Sequence, residues 1–162
     1  MRRSMAQLTP RFSTNRVVRE YVEQHSLPAA AAYRRRSADH GALGAQVARW
    51  QRDVEQKWSD LRFGDLMVET ENGAHAFMVH VYLNGLDPDA VRVELYADAL
   101  LGDEPVRLAM ERAYPLVAAE AGYAYQAQVP SDRPAKDYTV RLVPYHEQAS
   151  VPLEAPHILW QR

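Results

Sequence analysis

Ala76–Tyr96 reads AFMVHVYLNGLDPDAVRVELY, and the fold is decided here. Phe77, Val79, Val81 and Leu83 alternate with Ala76, Met78, His80 and Tyr82. Val91, Val93 and Leu95 then alternate with Arg92, Glu94 and Tyr96. Successive side chains of a strand point to opposite faces, so a period of two predicts strands with two distinct sides. Asn84-Gly85 and Asp87-Pro88 stand between the two runs and read as a turn.

The same alternation recurs downstream. Tyr123–Val129 and Tyr138–Val143 read as strands, Val106, Leu108 and Met110 allow another, and His157–Trp160 a last one. Breaks fall at Asn72-Gly73, Gly102-Asp103, Gly122 and Pro130–Pro134. Eight of the ten prolines lie from Pro88 onward, mostly in those breaks, which suits strands that stop abruptly. Short strands with frequent turns predict an antiparallel sandwich or open barrel.

Upstream the period changes to 3.6. Leu43, Val47, Trp50, Val54, Trp58 and Leu61 form one apolar stripe, while Gln46, Arg49, Arg52, Asp53, Glu55, Gln56 and Lys57 fill the other positions. Two tryptophans on one stripe need a substantial partner surface, and the chain's own β-region is the first choice. Phe12–Ser37 also reads as helical, with Ser13 or Thr14 as cap and Val17, Val18, Tyr21 and Val22 at i, i+4 spacing. Pro28 is expected to end or kink that helix. Ser37–Gly44 reads as a loop. The expected fold class is therefore α+β: N-terminal helices (residues 1–62) packed on or beside an antiparallel β-sandwich-like domain (residues 63–162).

The 162 residues are 47% hydrophobic and 25% charged, ordinary values for a chain with a real core. There is no cysteine, which excludes disulfides and thiolate chemistry and is compatible with the cytoplasm. No apolar run approaches the ~20 residues that span a membrane, and no secretory signal is visible after Met1. Residues 1–62 carry a net charge of +6 and residues 63–162 a net charge of −8. Arg34-Arg35-Arg36 is the only basic run; it is short, lacks interleaved aromatics and reads as a solvated helix face rather than a nucleic-acid site.

A search for chemistry finds little. His75 and His80 are an odd number of residues apart, so a regular strand sends them to opposite faces. The other histidines lack metal-ligand spacing. No nucleophile elbow, P-loop or dinucleotide glycine pattern is present. Asp65, Glu69, Glu71, Glu94 and Asp98 are the carboxylates that a glycosidase-like pair would draw on, and they read better as strand faces and turns. Tyr82 and Tyr96 are candidates for stacking on sugar rings, against the more ordinary reading that tyrosine fills sandwich edges with its hydroxyl in water.

Ser4–Glu23 (SMAQLTPRFSTNRVVREYVE) and the following Leu27-Pro28-Ala29 resemble a segment near the end of bacterial α-glucan phosphorylases. The shared pattern is Ser-Met, a Pro before Phe-Ser/Asn-Thr, Arg-Met-Val and Glu-Tyr. Val17 replaces the family's Met, and His25-Ser26 stands where an aromatic pair is usual. Trp50 and Trp58, the Leu83–Tyr96 turn region, Tyr138–Pro144 and Ile158–Trp160 extend the match in order along nearly the whole chain.

The resemblance implies a family that transfers glucosyl units between α-glucans and phosphate, giving glucose 1-phosphate, with pyridoxal phosphate on a lysine. Lys57 and Lys136 are the only lysines, and neither lies in a segment like the family's cofactor lysine. No catalytic, cofactor-binding or metal residue carries over. The expectation is a non-catalytic C-terminal part of such an enzyme, left by a split gene, a truncated reading frame or an excised segment. Its docking face for the missing catalytic domains would comprise Phe12, Arg16, Tyr21, Trp50 and Trp58. A stand-alone glucan-binding β-module is the alternative, and a small enzyme a third reading. Expected partners are the catalytic domains, an α-glucan, or a second copy pairing through exposed helices.

Overall fold

The computed structural model describes residues 13–100, 104–116 and 122–162. The chain divides into two compact units, residues 1–46 and 47–162.

The first unit is helical. Helix α1 is Thr14–Tyr21, capped by Ser13, whose hydroxyl accepts the Arg16 N–H at 3.2 Å. A π-helical turn, Val22–Ser26, leads into helix α2, Leu27–Lys57. Pro28 is the second residue of α2, which follows the π-helical turn directly. The regular α-helix ends at Tyr21, and the π-helical turn just before Pro28 is the local irregularity that the proline was expected to bring. A second, sharper break comes at Ala38–Gly41, where Asp39, His40 and Gly41 take positive φ. That segment lies inside the loop expected at Ser37–Gly44. None of residues 13–46 is buried.

The second unit opens with the last turns of α2. Val47, Trp50 and Val54, at i, i+3 and i+7, are its buried residues. Eight strands follow among the described residues: β1 Arg62–Glu71, β2 Ala74–Tyr82, β3 Val91–Ala97, β4 Val106–Ala109, β5 Glu111–Pro115, β6 Gly122–Pro130, β7 Tyr138–Pro144 and β8 Leu159–Trp160. They form two antiparallel four-stranded sheets, ordered β1-β2-β6-β5 and β4-β3-β7-β8. The chain changes sheets at Met110, which is buried between β4 and β5. Asn72 and Gly73 both take positive φ and close the β1–β2 hairpin, as its tight turn demands.

Inward residues of both sheets share one core. Phe77, Val79 and Val81 come from β2, Val93 and Leu95 from β3, and Val140 and Leu142 from β7, with Val47, Trp50 and Val54 joining them. Each such side chain contributes roughly 1.5–3 kcal/mol on burial. The α+β class with an antiparallel sandwich is what the alternation predicted. The contact boundary falls after Gln46 rather than at residue 62, because the helix residues from Val47 onward are built into the sandwich core.

Leu142 is fully buried whereas Val17 is 55% exposed. Leu142→Ala is expected to lower the stability of the second unit by about 2–5 kcal/mol in urea unfolding followed by tryptophan fluorescence. Val17→Ala should stay within about 0.5 kcal/mol of the parent. Equal effects would contradict this burial pattern.

Candidate functional site

The two sheets present very different outer faces. On the second sheet, Arg92, Glu94 and Tyr96 point outward from β3. Glu94 Oε2 accepts from Arg141 Nε and Nη2 at 2.9 and 2.7 Å, and both side chains are largely shielded from water. The Arg141 guanidinium also lies 4.6 Å from the Tyr96 ring centre and 5.6 Å from that of Trp160. Tyr96 and Trp160 meet edge to face at 5.5 Å. Tyr96 donates its hydroxyl to Asp98 at 2.9 Å, and Arg92 covers the Tyr145 ring at 3.8 Å. The polar groups of this face are spent on one another.

The first sheet carries a groove of about 500 Å³. Its apolar lining includes Met67, Ala76, Met78 and Leu108, and its polar lining is Glu69, Glu111, Gln126 and Gln128. Strand register explains the grouping. One row runs Met67–Met78–Gln126–Glu111 and the next runs Glu69–Ala76–Gln128. Strand β5 pairs with β6 only as far as Gln126, so Ala127 and Gln128 have β2 on one side and no strand on the other among the described residues. Among the described residues, none of the four polar side chains has a hydrogen bond or ion pair. Among the described residues no Lys, Arg or His lines the groove.

The residues singled out from sequence are scattered. Phe12 lies outside the described residues. Arg16 pairs with Glu20 at 2.6 Å on the exposed side of α1, and Tyr21 is 62% exposed. Trp50, expected on a docking face, is only 7% exposed and donates its indole N–H to Ala90 O at 3.0 Å. Its ring is consumed by the core of its own unit, so it offers no docking surface. Trp58 is half-buried and stacks on His157 at 5.1 Å. Tyr82 lies on the outer face of the first sheet under the Arg62 guanidinium, and Tyr96 lies on the outer face of the second. The fold therefore does not bring the two tyrosines together.

His75 is buried, with Nδ1 2.7 Å from Thr70 Oγ1 and Nε2 2.9 Å from Arg133 O. A carbonyl only accepts, so Nε2 carries the proton and Nδ1 accepts from Thr70. His75 thus ties the β1–β2 hairpin to the loop after β6, while His80 faces outward. Among the described residues no three His, Asp or Glu side chains gather as a metal site. Lys57 Nζ donates to Gly85 O at 2.6 Å, and Lys136 stands exposed in the Ala135–Asp137 turn. Sequence reasoning named Glu69 but missed Met67, Met78, Gln126 and Gln128. The available signal was the outward position of Ala76 and Met78, but the partners across strands depend on register.

Two tyrosines titrate above the ordinary range. Acceptance of the Tyr96 O–H by the Asp98 carboxylate favours its neutral form, and loss of hydration raises it further. Burial raises Tyr125, with the Arg112 guanidinium pulling the other way. Among the described residues the buried Tyr125 hydroxyl has no partner of good hydrogen-bond geometry, the nearby Arg112 guanidinium being only a weak one.

A family model described as the glycogen phosphorylase C-terminal domain matches residues 58–162. The chain belongs to that family. Over 154 residues it is 27% identical to the maltodextrin phosphorylase of Thermococcus litoralis, an alignment covering 91% of this chain and 18% of that protein. The chain thus spans less than a fifth of the relative's length.

Raised tyrosine values in the folded state mean that folded protein holds the proton where unfolded chain has lost it. Stability from this source is complete below the ordinary tyrosine value, about 10, and is lost as pH rises through the folded value. Tyr125→Phe removes this poorly partnered hydroxyl and is expected to be neutral or stabilising at pH 7. It should also flatten the loss of stability above about pH 10, read by urea unfolding across pH. A clear destabilisation at neutral pH would mean the hydroxyl has a strong partner.

Proposed function

We propose that this chain is the non-catalytic C-terminal region of an α-glucan phosphorylase, supporting a catalytic body formed by other sequence. One observation carries the reading beyond family membership. Among residues 13–46 no side chain is buried, yet Val17, Val18, Tyr21 and Leu27 are large, apolar and more than half exposed. An exposed apolar surface of this kind marks an interaction site. Arg16 and Tyr21 belong to that docking surface, whereas Trp50 does not.

The chain's residues do not fit pyridoxal phosphate. Such a group needs a lysine amine in a cavity and donors for a phosphate. Lys57 is engaged with a backbone carbonyl, Lys136 is exposed on a turn, and among the described residues the groove has no basic side chain. The glucosyl transfer to phosphate therefore belongs to the body. No helix among the described residues is long and apolar enough to cross a membrane, and a cytoplasmic location goes with the reading. Without a body, the same apolar surface is expected to pair copies of the chain.

The test combines the purified chain with a phosphorylase body truncated before this region, and measures glucose 1-phosphate formed from maltoheptaose and phosphate. The chain alone is expected to form none. Its addition should raise the activity or thermal resistance of the body, and Val17→Asp with Tyr21→Asp should abolish that gain. Product from the chain alone, or a body indifferent to it, would refute the proposal.

A further inference from the structure

We infer that Met67 and Met78, side by side on the outer face of the first sheet, are a site of reversible oxidation by peroxide. The inference goes beyond the phosphorylase reading and does not rest on it. The chain has no cysteine, so its thioethers are the only sulfur that a peroxide can oxidise. The methionines among the described residues are Met67, Met78 and Met110. Met67 is 45% exposed, Met78 is half-buried and Met110 is only 6% exposed. A peroxide must reach the sulfur, so exposure ranks the three.

Strand register makes the first two a pair. Met67 of β1 stands opposite Met78 of β2, and Met78 stands opposite Gln126 of β6. All three line the groove. The Tyr114 hydroxyl donates to Met78 Sδ at 3.5 Å. A thioether is a weak acceptor, so this contact leaves the sulfur available for reaction.

The reaction needs only the peroxide. A sulfur lone pair attacks one peroxide oxygen, an S–O bond forms as the O–O bond breaks, and the other oxygen leaves as water once the proton has moved to it. The thioether loses two electrons and the peroxide gains them. The product is a polar sulfoxide whose oxygen needs hydrogen-bond donors. Met78 has them in place: the Tyr114 O–H already meets its sulfur, and the Gln126 carboxamide opposite is without a partner among the described residues. The Met67 sulfoxide would be met by water. Met110 belongs to the core cluster, where a sulfoxide dipole would be buried and unpaired. The fold thus accepts oxidation at the pair and resists it at Met110.

The consequence is local. Oxidation replaces the apolar Met67–Met78 row by two strong acceptors and changes the character of the groove without changing the fold. Methionine sulfoxide reductases reverse it, the oxygen leaving as water while two thiols join as a disulfide.

The experiment treats the full chain with hydrogen peroxide and follows each methionine by peptide mass spectrometry. Met67 and Met78 are expected to gain one oxygen each, with Met110 at least about tenfold slower. The oxidised chain should keep its urea midpoint and show a shifted Gln126 side-chain amide signal in NMR. It should return to its starting mass with the two epimer-specific reductases and dithiothreitol. In Met67→Leu with Met78→Leu, a change that conserves volume, peroxide should no longer move the Gln126 signal. A pair that stays reduced, Met110 reacting as fast as the pair, or a second unit that unfolds on oxidation overturns the inference. So do sulfoxides that the reductases cannot reverse, or a Gln126 shift that persists in the double variant.

Discussion

The second unit depends on the way Trp50 is held. Its indole is buried, its N–H reaches the carbonyl of Ala90 at 3.0 Å, and its ring lies 5.3 Å from His146. One side chain thereby joins the helix, the turn before β3 and the loop after β7. A buried N–H left unpaired costs far more than a made hydrogen bond returns, so this contact fixes the helix rather than merely attracting it. Val47 and Val54 follow on the same stripe, and Gln51 and Lys57 tie the helix flanks to Glu154 O and Gly85 O. Two sheets alone would leave Leu83, Leu86 and Val91 at an open end; these residues share the core cluster of Trp50 and Val54.

With the core shared between both sheets, the two outer faces differ in how their polar groups are paired. On the second sheet a guanidinium lies against two rings and a carboxylate, with its side chain only 12% exposed. Charges shielded to that degree stay only when paired, so that face is committed to holding β3, β7 and β8 together. The first sheet has no equivalent network over Met67 and Met78. Its edge strand β5 stops short, and the groove forms where β6 keeps only β2 as a neighbour, beside Leu108 and Ala109 of β4. The same topology that closes one face therefore leaves the other open.

Much of this was legible in the sequence, and the rest was hidden for physical reasons. Period-two patterning marked β2, β3, β6 and β7 because each has one fully apolar side. Strands β1 and β5 were not marked, because both are edges interrupted by irregular register, between Phe63 and Leu66 and between Arg112 and Tyr114. Gly64 shows the constraint: a Cβ there would lie 2.9 Å from Tyr82 Cε2, so the position answers to a neighbour that periodicity does not reveal. The Val47–Leu61 stripe was readable as amphipathic, but a stripe says nothing about which surface it meets, and Trp50 met its own sandwich. Pro28 announced an irregularity but not its form, a π-helical turn at Val22–Ser26. The groove was the least legible feature, since rows such as Glu69–Ala76–Gln128 exist only once three strands have chosen a register.

The contrast between the units bears on what the chain is for. Residues 47–162 bury enough apolar surface to specify a structure by themselves. Residues 13–46 bury no side chain, and what stabilises their helices locally is small. The Ser13 cap contributes about 1 kcal/mol and the exposed Arg16–Glu20 pair a few tenths of a kcal/mol. Against this stands a conformational cost of roughly 1–2 kcal/mol for each residue ordered. Helices in proteins owe most of their stability to packing of an apolar face, and among the described residues nothing covers Val17, Val18 and Tyr21, each more than half exposed. Apolar side chains on a solvent-facing helix gain stability only by being covered, and that is the physical ground of the docking role proposed for the helical unit.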